Sequence, residues 1–142
     1  MLRLAPGRAR SAVGGLLLAC IVTSAPAGDL VQEAHRWMGA TARQMGVPST
    51  LWCADAMGVW LRRAGYPSTG SRLAMSYARY GRPASPTCIG CIAVLTRRGG
   101  GHVGVVTGRD FRGNPIVISG NHNRRVGEAV YPARRVVAYR QP

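Results

Sequence analysis

The chain has 142 residues, 19 basic and five acidic side chains and a formal net charge of +14, and every basic residue is Arg. At 46% hydrophobic and 17% charged residues it is too apolar for a disordered tail, and its length predicts one domain. Its 19 Gly lack the period of collagen, and one Phe, five Tyr and three Trp are few for stacking single-stranded bases, so nucleic acid is not an expected partner.

The first 27 residues read as a secretory signal peptide. Arg3, Arg8 and Arg10 form a positive start, residues 12–23 an apolar run, and Ala25-Pro26-Ala27 a small-x-small cleavage site. The run is too short to span a bilayer as a helix. A secreted or periplasmic domain of residues 28–142 follows. The rival is a lipoprotein signal, Leu17-Leu18-Ala19-Cys20, and membrane contact is expected only if Cys20 is lipidated. Removing the three leader arginines leaves 16 Arg against five acids in the mature chain. Such a charge favours anionic surfaces, and in an exported protein cell-wall polymer ranks first among them.

Loss of the leader leaves Cys53, Cys88 and Cys91. Three is odd, so one thiol stays free outside the cell, and the close spacing of Cys88 and Cys91 points to Cys53. The Cys88-Ile-Gly-Cys91 pair has three open readings: a disulfide, two free thiols, or a redox or zinc pair.

Helices come first along the mature chain. Asp29 is placed to cap a helix running to Met38, and a short helix follows from Ala40 to Met45, ending at Gly46. Ser49 or Thr50 is placed to cap a third, Leu51 to Ala64, stopped by Gly65 with Pro67 beyond. Cys53, Met57, Trp60, Leu61 and Ala64 recur at helical spacing, which puts Cys53 on the core-facing stripe of the first turn. A fourth helix is read over Ser71 to Tyr80. After Pro86 come short β-branched runs at 92–95, 102–107, 115–119 and 135–139, divided by Gly, Asn and Arg turns. Helices followed by an antiparallel sheet make an α+β fold.

Few residues can do chemistry. The five acids are dispersed without a carboxylate pair, against a two-carboxylate glycosidase. There is no G-x-S-x-G and no phosphate loop. A thiol in the first turn of a helix meets free amides and the positive dipole end, which lower its pKa. His102 opens a strand after three glycines, and a Cys–His pair with a third polar group makes a nucleophile, its base and an orienter. If residues 102–107 pair antiparallel with 115–121, His102 lands near Ser119 to Asn121. Spacing alone equally allows Cys53 to be a buried small hydrophobe.

The ordered segments Leu51-Trp52-Cys53-Ala54, Arg63-Ala64-Gly65-Tyr66, Gly101-His102-Val103-Gly104-Val105-Val106, Ser119-Gly120-Asn121-His122-Asn123 and Tyr131-Pro132 carry a resemblance. Over about residues 49–140 the chain resembles the CHAP (cysteine, histidine-dependent amidohydrolase/peptidase) family and its NlpC-type relatives. The resemblance implies a papain-like fold, a cofactor-free and metal-free site, and cleavage of peptidoglycan amides. It implies Cys53 as nucleophile, His102 as base and Asn121 as orienting residue, with His122 as an alternative; the hairpin pairing leaves Ser119 as a further one. A monomer is expected. Two departures stand out: Ile89-Gly90-Cys91 replaces a usual Pro-Gly-Asp, and Asp55 sits two residues after the nucleophile. The rival readings are a non-catalytic basic module on anionic wall polymer and a thiol-redox protein using Cys88 and Cys91.

Overall fold

In a computed structural model, residues 27–142 are described, so all of the expected leader except Ala27, and with it Cys20, lies outside the described residues. Three α-helices precede a six-stranded antiparallel sheet: α1 (Ala27–Arg36), α2 (Ala42–Met45) and α3 (Cys53–Arg63), then β1 (Arg82–Pro83), β2 (Ile92–Arg97), β3 (Gly100–Arg109), β4 (Pro115–His122), β5 (Arg125–Val130) and β6 (Val136–Gln141). The sheet order is β1-β6-β2-β3-β4-β5, a meander from β2 to β5 with β6 returning to the free side of β2. The α+β expectation holds. No described helix is long and apolar enough to cross a membrane.

Several local expectations change. Helix α1 already includes Asp29, which therefore lies inside the first turn and not at the cap. Residues 74–79 form a 3₁₀ helix instead of an α-helix. Strand β5 is an addition to the expected strands. Gly127 and Glu128 weaken its β pattern, and it survives as a sheet edge on alternate burial of Val126. Gly65 has φ +87 just past α3, and Tyr66 N–H closes onto Leu61 C=O at 2.8 Å, the left-handed helix stop its position predicts.

Two apolar layers sandwich the sheet. On one face Trp52, Met57, Trp60 and Leu61 of the α3 segment and Leu30 of α1 pack on Ile92, Val94, Val103, Val105 and Ile118. On the other, Ala93, Leu95, Val106 and Val117 pack with Tyr131, Val136 and Tyr139. The alternation along β2, β3 and β4 is the period-two signature of strands buried on both faces. Glu33 is buried and holds α1 to α3, accepting from Arg36 and, at 2.8 Å, from Arg63 Nε.

The start of α3 lies directly on β4 because residue 120 is glycine. A Cβ there would stand 2.5 Å from Ala56 Cβ and 2.9 Å from the Trp52 ring. That close approach sets Cys53 beside β3 and β4.

Candidate active site

Cys53 is the first residue of α3, 4% exposed, and the free cysteine among the described residues. The expected Ser49 or Thr50 cap is absent. The cap residue is Trp52, whose side chain makes no capping hydrogen bond. First-turn amides are therefore left for another acceptor, and the Cys53 sulfur takes that place. The approach to it is strained: Leu51 has φ +49, exposes most of its side chain, and is followed at once by Trp52 and Cys53. Arg72 holds this turn, donating to Thr50 C=O at 2.8 Å and pairing with Asp55 at 3.1 Å. Asp55 is thus engaged by Arg72.

Burial pushes the Cys53 thiol above its ordinary value. Hydrogen bonds from the Val103 and Ala54 amides, the Arg97 charge and the residue's own amide only partly offset this. The expectation of a lowered thiol pKa is therefore corrected. The helix-start amides act as expected, but loss of water outweighs them.

His102 is also 4% exposed. Its Nε2 lies 2.8 Å from Ser119 Oγ and 3.2 Å from Tyr131 Oη, and the two hydroxyls are 3.4 Å apart. The Tyr131 ring tilts against the imidazole with centroids 5.5 Å apart. Burial, then the charges of Arg97, Arg135 and His122, lower the His102 pKa from 6.5 to about 4. The ring is therefore neutral at pH 7. In the tautomer with the proton on Nε2, donated to Ser119 Oγ, Nδ1 is a bare base. Nδ1 is buried and has no hydrogen-bond partner. Ser119 has no exposed surface, so it can steady the ring but cannot reach a substrate as a nucleophile.

Val105 pairs with Ile118 and Val106 with Val117. The numbers in each pair sum to an odd value, the register that puts His102, Ser119 and Asn121 on one face. The orienting contact nevertheless falls to Ser119, and no hydrogen bond joins Asn121 to His102 among the described residues. The reason is local. The β4–β5 register breaks between Ser119 and His122, and Asn121 turns to φ +58, outside the strand conformation. Asn121 and His122 instead line a hollow of about 230 Å³ with His102, Tyr131, Arg97 and Arg135. Tyr131 is legible in the sequence only as part of a Tyr-Pro pair, with no assigned role.

The same register separates Cys53 from His102. His102 stands opposite Leu95, on the face of Val106, Val117 and Ser119, whereas Val103 faces α3. The thiol thus meets β3 at the Val103 amide from the helix side, and the imidazole lies on the other side of the strand. No hydrogen bond joins them in this conformation. They are brought to adjacent residues of one strand, at a place where the β3–β4 ladder has not yet begun: its first pair is Val105 with Ile118.

Cys53 opens onto a second hollow, about 150 Å³, walled by Leu51, Leu73, Arg72, Arg97 and Arg98. Arg97 lines both hollows, and no carboxylate lines either. Cys88 and Cys91 form a disulfide, with Cα atoms 5.8 Å apart, just before β2. Among the described residues no three His, Cys, Asp or Glu side chains are grouped to hold a metal ion. No family model matches the chain, and no curated protein or solved structure matches it.

Proposed function

We propose that the protein is an exported, papain-like cysteine hydrolase that cuts amide bonds in bacterial peptidoglycan, as its resemblance to CHAP and NlpC-type enzymes implies. The observation that supports this reading best is the imidazole of His102. It is fixed at Nε2 by two hydroxyls and unpartnered at Nδ1, one residue from the amide that holds the free thiol of Cys53.

The reaction starts from a neutral pair. The Cys53 sulfur leaves the Val103 amide and swings between β3 and β4, beyond their first ladder pair, as a substrate carbonyl enters. Its proton passes to His102 Nδ1 while the C–S bond forms. Ser119 and Tyr131 keep the ring from rotating as it gains charge. The α3-start amides, freed from the sulfur, are placed to receive the developing oxyanion. The tetrahedral adduct then breaks its C–N bond, and His102 returns the proton to the leaving amine. Water attacks the thioester, giving its proton to His102. The C–S bond breaks, and the proton goes back to the thiol. Arginines on both sides favour a substrate carrying negative charge next to the reacting amide.

A second reading, a basic module that binds anionic wall polymer without turnover, draws on the same arginines and on the separation of thiol and imidazole by the strand. Incubating purified peptidoglycan with the protein and identifying new chain ends separates the two. Hydrolysis is expected to release matched new amines and carboxylates, and both are expected to vanish in Cys53→Ala and His102→Ala. Retention on the wall material without any new ends supports the binding module.

A further inference from the structure

A third hollow, about 450 Å³, shares no residue with the other two. Arg109, Tyr139, Pro86, Val136, Val137 and Ala138 line it. Three of the buried polar atoms without a partner belong to two of its lining residues: Arg109 Nε, Arg109 Nη2 and Tyr139 Oη. Arg109 is anchored through its remaining nitrogen, with Nη1 donating to Gly113 C=O at 2.8 Å, and its guanidinium carbon lies 5.4 Å from the Tyr139 ring centre. The neighbouring acid cannot serve as its counterion. The Asp110 carboxylate is taken up by the Arg112 and Asn114 amides and the Asn114 side chain inside the β3–β4 turn. Donors buried without an acceptor are costly and rare, and two on one guanidinium are rarer.

We propose that this hollow binds a carboxylate carried on a small aliphatic group. Nε–H and Nη2–H lie along one edge of the guanidinium, the parallel fork that takes both oxygens of a carboxylate. The Tyr139 hydroxyl supplies a third donor. Val136, Val137, Ala138 and Pro86 give the aliphatic body an apolar wall, and the volume suits a small ligand. Both Arg109 donors are closed off from water, so binding turns the free edge into the hollow. The single anchor at Nη1 makes Arg109 a pivot for that movement. The ligand is a free short-chain acid or the C-terminal residue of a peptide. The two share this chemistry and differ in what lies beyond the aliphatic group. The site is independent of the hydrolase reading.

Nitrogen-15 NMR of the Arg109 Nε–H, with Tyr139 ring signals alongside, tests it. The probes are 3-methylbutanoate and N-acetyl-alanyl-valine, each against its neutral carboxamide. Saturable shifts are expected with the carboxylates and not with the carboxamides, and the tighter of the two acids identifies the source. Arg109→Gln is expected to weaken binding by at least about tenfold, from loss of a charge-assisted bidentate contact. Tyr139→Phe, which removes one hydroxyl and leaves the packing, is expected to weaken it several-fold. Equal response to the carboxamides, shifts that never saturate, or full affinity in Tyr139→Phe together with Arg109→Gln overturns the proposal.

Discussion

In the proposed mechanism the two hydroxyls on His102 Nε2 take the part that the sequence resemblance implies for an amide, and substitutions separate them. Ser119→Ala removes the 2.8 Å contact and frees the ring to turn. Turnover of peptidoglycan fragments is expected to fall roughly ten- to a hundredfold, in kcat more than in KM, the size of effect of a supporting group. Asn121→Ala, with no bond to the ring, is expected to stay within about threefold of wild type, far below the loss for such a group. A dead Asn121→Ala beside a near-normal Ser119→Ala would return the orienting role to Asn121. Arg97 makes a second prediction at this scale, because it lines both hollows and its charge acts on both Cys53 and His102. Alkylation of Cys53 by anionic iodoacetate, relative to neutral iodoacetamide, is expected to drop several-fold in Arg97→Gln. An unchanged ratio would mean that this charge does not reach the thiol.

Between elements, the contact that positions the site is α3 on β4. Gly120→Ala puts a Cβ into Ala56 and Trp52, neither of which can yield without moving the helix start. Urea unfolding is expected to show a loss of about 2 kcal/mol or more, an overpacking penalty, together with faster alkylation of Cys53. Unchanged stability would mean that the helix start is looser than this packing implies. Much of the layout is legible in the sequence because it depends on local rules: the glycine stop after α3, the β-branched runs of β2 to β4, and the β3–β4 hairpin, whose register the chain alone leaves open. What is not legible depends on tertiary contacts. Which face of β3 meets α3 is decided by the small residue at 120 beneath Trp52, and from the chain alone His102 and Cys53 are free to share a face. The departure of Asn121 from the strand follows from the β4–β5 irregularity, and β5 itself carries too weak a pattern to be seen. The missing cap on α3 is hidden behind two good capping residues, Ser49 and Thr50, that the strained Leu51 turn carries away from the helix.

At the scale of the whole molecule, His102 links the site to folding. Its pKa is about 4 in the folded protein against 6.5 for an unperturbed histidine, so between these values the unfolded chain binds the extra proton and the folded chain does not. Stability is therefore fully present above about pH 6.5 and is lost as pH falls toward 4, by roughly 3 kcal/mol from this group. Urea midpoints for wild type and His102→Gln across that window are expected to converge as pH falls. Parallel curves would assign the acid sensitivity to other groups. Charge sets a further whole-molecule behaviour. Glu33 takes two arginines and Asp55 one, leaving most of the basic surface without an acidic partner among the described ion pairs. Co-sedimentation with wall sacculi is expected to weaken steeply between low and high salt, because the screening length is already about 8 Å at physiological ionic strength. Salt-insensitive sedimentation would assign wall binding to a shaped pocket. The claim that joins these scales is that Cys53 carries the acyl group, and mass spectrometry of protein quenched in acid during turnover of a wall-derived peptide tests it most directly. The account predicts a mass increment equal to the acyl fragment on the Cys53 peptide, absent in Cys53→Ser along with all turnover. Turnover that persists in Cys53→Ser, with no adduct on the wild-type thiol, would contradict it.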